Sequence, residues 1–346
     1  MEPVSLPANQ PRQFYLGGPQ IEAFRAGSGN SASSAARAPE DWIASTVSKH
    51  GDDDGATRLP DGRLLREAVA ADPTSFFGPA HVARFGHNPA LLVKLLDAGE
   101  RLPVHCHPDR AFAGAHLGSA FGKTEAWVII GTPGADPHVY LGFNRDVEAA
   151  ELEEWFENQD SDEILAAMNR VPVATGDAIF VPAGTPHAVG GGVFIVELQE
   201  PTDFSVMLEW REFGLPDRHD GQLGMSAQLS LQCFNRRRMT DADLARCVRK
   251  AQPKSQGVAA LFPDEAEPFF QAEEISITDA VELGPQYAVL IVVGGSGSLT
   301  TADSDVVLAR GSTVLIPFSA GPTTLRATAG ASLHVLRCLP GDLGAS

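Results

Sequence analysis

Short apolar runs set between turn formers restrict the fold of this chain more than any other feature. Residues 126–131, 177–182, 193–198, 288–293 and 313–317 are rich in Val and Ile and bounded by Gly or Pro. β-Branched side chains suit the pleated surface of a sheet, while Gly and Pro end strands and build turns. The 346 residues include 34 glycines and 25 prolines, spread throughout, so the pattern is one of many short strands. That reads as an all-β protein, a sandwich or a barrel.

Three stretches depart from the strand pattern. Residues 62–71 place Leu64, Leu65, Ala68 and Val69 on one helical face. Residues 147–170 are acidic and read as two helices broken near 158–162, with Leu152, Trp155, Phe156, Ile164 and Leu165 facing inward. Residues 240–250 open on Thr240, with Asp243 three positions on, a capping box in which Asp replaces the usual Glu or Gln. All three are expected to decorate a β core as insertions in its N-terminal half. Residues 27–39, rich in Ser, Ala and Gly, read as a loop. The polar stretch 251–257 marks a boundary between a domain of residues 1–252 and a smaller β domain of residues 257–346. The second contains only His334 and no cluster of ligands, and is expected to be structural.

Charge narrows the partners. There are 26 Lys and Arg against 44 Asp and Glu, a formal charge of −18. Such a field repels phosphate backbones and anionic lipids, so neither nucleic acid nor a membrane surface is an expected partner. Residues 1–13 lack the basic start and apolar run of a signal peptide, and the most continuous apolar stretch, 287–293, is far too short to span a bilayer. Cys106, Cys233, Cys247 and Cys338 are scattered with no CxxC pair. They read as reduced thiols of a cytoplasmic protein.

The chemistry concentrates in three stretches. In Leu-Pro-Val-His-Cys-His-Pro-Asp, residues 102–109, His105 and His107 stand two apart, so an extended strand turns both to one side. Gly-Lys-Thr-Glu, residues 122–125, leads into the strand at 126–131. Pro-Ala-Gly-Thr-Pro-His, residues 182–187, follows the strand that Gly176-Asp177 opens. Three imidazoles and one carboxylate, from His105, His107, Glu125 and His187, make a site suited to one Zn2+, Mn2+, Fe2+, Co2+ or Ni2+ per chain.

The ordered set HxHP…GKTE…PAGTPH has the pattern of a cupin barrel, and the longer blocks around it resemble the type I mannose-6-phosphate isomerases. Those blocks are residues 89–98, 102–109, 122–127 and 171–192, running on into Glu197-Leu-Gln-Glu and Thr202-Asp203. The resemblance covers about residues 89–210, is looser at 17–24 and 41–45, and is one of style alone in the C-terminal part. It implies a double cupin, two jelly-roll barrels with helical insertions, and a zinc enzyme that shuttles a proton between sugar carbons 1 and 2. His107, Glu125 and His187 fall on family metal ligands, Lys123 on a lysine lining the active site, and Lys94 on one near the substrate's phosphate.

Three positions depart from the family pattern. His105 stands where the family has Gln, Pro103 where it has a phosphate-binding Ser, and Met207 where it has an Arg; Arg211 lies four residues beyond. Arg and Ser donors hold and neutralise anions, so their loss weakens phosphate recognition. The resulting expectation is a metal-dependent aldose–ketose isomerase, monomeric or homodimeric, whose partner is a small sugar or sugar phosphate. Lys123, Asp109 and Arg211 are its candidate catalytic residues, and Lys94 and Lys123 its candidate substrate contacts. Two other readings stand beside it: a cupin enzyme of different chemistry, such as a dioxygenase with Fe or Mn on the His3Glu set, and a non-catalytic sugar-binding or regulatory protein. The run Arg236-Arg-Arg238 either reaches the cleft or is a solvated surface.

Overall fold

The computed structural model describes residues 1–342 except 34, 50–52, 216, 220 and 253–254. The fold is mostly β, as the strand-and-turn pattern demands, and its described strands form three sheets. One six-stranded sheet runs in the order Val248–Arg249, Ala178–Val181, Glu125–Gly131, Phe194–Gln199, Leu92–Asp97, Glu40–Ile43. A five-stranded sheet runs in the order Val206–Met207, His105–Cys106, His187–Val189, His138–Phe143, Met168–Pro172. The ladders of both are antiparallel. Every residue of Leu92–Asp97 and of Phe194–Gln199 is buried, so each strand is covered on both faces. Alternation of apolar and polar positions, the mark of a half-exposed strand, is accordingly missing there.

The third sheet has nine strands, all but one of them from residues 257–340. The exception is Val4–Ser5, which pairs with Thr313–Ile316. A buried ion pair reinforces this link: Arg25, on the helix Gln20–Ala26, lies 3.0 Å from Asp41. Its guanidinium also donates to Thr313 Oγ1, Gly311 O and Leu6 O. The chain's beginning therefore belongs structurally to its end. Of the expected 251–257 boundary, residues 253–254 lie outside the described residues, as does residue 34 of the 27–39 loop.

The expected helices appear as Leu65–Ala71, Ala149–Asn158 with Ser161–Ala166, and Asp241–Cys247. Thr240 caps the last of these, and Asp243 returns the bond from N3 to the Thr240 backbone. Short helices that periodicity does not reveal are Gln20–Ala26, Pro73–Phe77, Pro79–Phe85 and Arg110–His116. Each is about two turns or less, too short to show a 3.6-residue repeat. Two of them start on Pro, the residue best suited to a helix's first position.

Candidate metal centre and its cavity

Register brings the histidines together. His105 and His187 are directly opposite on neighbouring antiparallel strands, and Met207 is opposite His105 on the other side. His107 follows two residues after His105, and the ring centroids lie 4.2 Å (His105–His187), 4.8 Å (His107–His187) and 5.0 Å (His105–His107) apart. One nitrogen from each ring lies within 4.8 Å of the others. Glu125 comes from the facing sheet, its carboxylate 2.9 Å from His107 Nε2 and 3.2 Å from His187 Nε2.

The ligand loops are tied to each other. Gly184, at φ +82°, takes a left-handed turn that a side chain would strain, and its N–H donates to His107 O at 2.7 Å. Lys123 N–H reaches Pro108 O at 2.9 Å, and Thr124 N–H donates to the buried Glu200 carboxylate at 3.0 Å. The Gly-Lys-Thr-Glu turn is thereby fixed against the His-Pro-Asp turn.

The tautomers follow from the partners. His105 Nδ1 faces Pro103 O, His107 Nδ1 faces Phe204 O and His187 Nδ1 faces Thr185 O, each at 2.8 Å. A carbonyl only accepts, so each Nδ1 carries the proton and each Nε2 presents a lone pair to the interior. Burial, then the Lys123 charge, pushes His107 down to about 3, and burial holds His105 well below its usual value. Both stay neutral, as ligands must. Burial opposes charge on Glu125, but the Lys123 ammonium beside it favours the ionised form, and the carboxyl is held well below the usual range.

These residues fit a cation. Nitrogen and carboxylate oxygen donors converge, and Glu125 Oε2 and His187 Nε2 are buried without a hydrogen-bond partner. The positive group beside them is Lys123, whose Nζ lies 3.1 Å from His107 Nε2 and 3.4 Å from Glu125. Trp127, fully buried, donates its indole N–H to Glu125 Oε1 at 3.0 Å and orients that carboxylate.

The centre opens into a cavity of about 530 Å3, within the range of small-molecule sites. Its wall is one row of the six-stranded sheet. Trp42, Lys94, Glu197 and Trp127 are opposite one another on four adjacent strands, with Glu40 and Glu125 two residues along the outer and inner strands. Lys94 Nζ lies 3.5 Å from Glu40, 3.6 Å from Glu197 and 4.0 Å from Asp203, and 4.8 Å over the Trp42 ring. Burial works against its charge, yet those carboxylates raise it above the usual lysine value. Glu40 also accepts from Tyr15, Trp42 and Gln13; burial works against its charge, but Lys94 and the bonds from Tyr15 and Trp42 hold it below its usual value. Glu197 behaves differently: burial and then the charge of Glu125 push it up to about 7, against the pull of Lys94.

Lys94, Lys123, His105, Glu125 and His187 line this cavity, with His107 buried just behind them. Two expected site residues do not reach it. Asp109 accepts from Phe112 N–H at 2.7 Å and caps the helix Arg110–His116. Arg211 points away, donating to Asn158 O and Glu157 O and lying over Trp210, because the chain leaves the strand at Met207 and turns into a 3-10 segment. Arg236 donates to Val147 O, while Arg237 and Arg238 line a separate cavity. Glu197, Glu40, Asp203 and Tyr15 went unrecognised as cavity residues. One signal existed: Lys94 and Glu197 are the single charges within otherwise apolar runs, Leu-Leu-Val-Lys-Leu-Leu and Val-Phe-Ile-Val-Glu-Leu. A lone charge in a doubly covered strand is rarely left without a partner.

Fold and site together define a mostly β protein in which three histidines and one carboxylate converge beside a cavity. No family model matches the chain. It is 27% identical over 230 residues to the mannose-6-phosphate isomerase of Streptococcus mutans serotype c, covering 66% of this chain and 68% of that protein. It is 38% identical over 118 residues to the mannose-6-phosphate isomerase ManA of Bacillus subtilis, covering 34% of this chain and only 36% of that relative. Among solved structures, the Bacillus subtilis mannose 6-phosphate isomerase superposes with a TM-score of 0.73 at 20% identity, over 97% of this chain and 99% of that one. A mannose 6-phosphate isomerase bound with zinc and yttrium gives 0.71 at 15%, over 99% and 100%. The chain is thus similar in sequence to mannose-6-phosphate isomerases and shares the fold of the solved ones.

Proposed function

We propose that the protein is a metal-dependent aldose–ketose isomerase acting on a hexose or hexose phosphate in the cytoplasm. The observation that carries this reading is the convergence of three Nε2 lone pairs and the Glu125 carboxylate beside Lys123, at one end of a cavity of sugar-site size. His105, His107, Glu125 and His187 would hold the ion, with zinc first among Zn2+, Mn2+, Fe2+, Co2+ and Ni2+ because a structural neighbour is bound with zinc. A bound divalent cation supplies Lewis acidity that stabilises enediolate charge on the sugar's first two oxygens.

The chain's own groups would carry the proton. Glu197 is a buried carboxylate whose affinity for a proton sits near neutrality, the condition for a base that both takes and returns one. Its removal of the proton from carbon 2 of an open-chain aldose, and return of that proton to carbon 1, leaves the ketose with no redox change once the hydroxyl proton of oxygen 2 has passed to oxygen 1. Lys123 Nζ, beside the ligands, is placed to donate to a sugar oxygen as charge develops there. Residues 1–252 would form the working domain and 257–346 its support.

Met207 beside His105 gives a second reading its footing, a sugar-binding protein without turnover, because an apolar group stands where a cation would assist catalysis. Incubating the metal-loaded protein with aldoses, ketoses and their 6-phosphates, and following interconversion by chromatography, decides between them. Turnover lost in Glu197→Gln supports the isomerase, and metal-dependent binding without turnover supports the second reading. Oxygen consumption with no isomerisation would point to the dioxygenase-like chemistry instead.

A further inference from the structure

We infer that the separate cavity lined by Arg237 and Arg238 is a second binding site, for a phosphomonoester whose phosphate sits on an apolar body. This cavity measures about 570 Å3, as large as a small-molecule site requires, and shares no lining residue with the metal cavity. The chain carries a formal charge of −18, yet here Arg237, Arg238 and Arg246 face only two carboxylates, Asp243 and Glu265. Asp243 already accepts from Thr240 at the cap of the helix Asp241–Cys247 and pairs with Arg246. Among the described residues, Arg237 and Arg238 donate only through their backbone N–H groups, to Asn235 Oδ1 at 3.1 Å and Asp146 Oδ1 at 2.8 Å. Both guanidiniums are therefore left without a carboxylate in one concavity, where an anion relieves their mutual repulsion.

The arginine run is presented from a fixed backbone. Asn235 N–H donates to Gly184 O at 2.7 Å, Val147 N–H to Arg236 O at 2.9 Å and Met239 N–H to Phe143 O at 2.8 Å. Little backbone order is lost when such a site fills. Guanidinium forks match phosphate oxygens two at a time, which selects phosphate over a halide or a lone hydroxyl. Phe180, Pro182, Pro186, Met239 and Phe269 supply the apolar remainder of the wall. A bare inorganic ion leaves that surface wet, whereas an apolar body on the phosphate covers it. Glu265 is exposed and opposes the anion.

The test is calorimetric titration of the metal-loaded, full-length protein with phenyl phosphate, inorganic phosphate and phenol. Phenyl phosphate is expected to bind about tenfold more tightly than inorganic phosphate, and phenol not measurably. Replacing both arginines, Arg237→Ala with Arg238→Ala, should weaken phenyl phosphate about tenfold or more. Both side chains are exposed, so metal content and circular dichroism should stay unchanged. Glu265→Gln, which removes the opposing charge, should tighten binding several-fold. Absence of saturable binding overturns the inference, as does equal affinity for phenyl and inorganic phosphate. Undiminished affinity in the double variant overturns it too, and if that binding disappears in His107→Ala the phosphate belongs to the metal centre instead.

Discussion

The facing sheets of the N-terminal part and the nine-stranded sheet beyond them are built from the same short antiparallel strands, yet their interiors are opposites. The first encloses Glu40, Lys94, Glu125, Glu197 and three histidines, all buried. The second encloses Ile275, Leu290, Val292, Val314, Leu325 and Val335 in one continuous apolar cluster. Backbone ladders do not distinguish them; the residue types at inward positions do. A buried polar set costs stability unless each member finds a partner, and in this one Glu125 Oε2, His187 Nε2 and Glu197 Oε1 are left without a hydrogen bond. An apolar interior contributes stability from every methyl group it removes from water. The contrast teaches that the C-terminal sheet closes over apolar side chains alone, while the N-terminal part, with apolar clusters of its own, also accepts the cost of a site.

The largest effect that would break this contrast is at the ligands. His107→Ala should remove most of the metal from a protein that otherwise holds about one ion per chain, read by elemental analysis after purification. Retention of the ion would show that the four-residue centre is misassigned. Next, Glu197→Gln should lower kcat/KM on the order of a hundredfold or more, the scale of general-base catalysis. Its proton affinity is raised, so the base form fills as pH climbs through about 7. Activity should therefore rise between about pH 6 and 8 in the parent protein, and the substitution should flatten that rise. The sign for stability is opposite: a carboxyl whose folded affinity exceeds its unfolded one loses stability as pH rises from the usual carboxylate range through about 7.

Leu290→Ala, in the apolar interior, should cost about 2–5 kcal/mol in urea unfolding while leaving metal content unchanged. A loss of metal there would mean that the two interiors are coupled more tightly than the contrast allows. Smaller still, Asp109→Ala should cost about 1 kcal/mol as a lost helix cap, with no change in metal or activity. Arg211→Ala should lie within about 0.5 kcal/mol and leave turnover intact, since its side chain is on the surface. A collapse of activity in either would return that residue to the site from which its geometry removes it.

Much was legible along the chain. Local rules were enough for the strands at 126–131 and 313–317, the Thr240 cap with Asp243, and the two-apart spacing of His105 and His107, because each depends on residues close in sequence. The resemblance marked Met207 as an exception, but register alone shows that it sits beside His105 and faces the cavity. The same holds for Lys94, whose neighbours Glu40, Glu197 and Asp203 come from distant parts of the chain. Asp109 and Arg211 lie near the motifs in sequence and outside the cavity in space. Sequence by itself determined which residues are available and which local elements they form. Tertiary structure decided which charges share one ammonium, because partners across strands are chosen by register and burial, and neither is written in any short stretch of the chain.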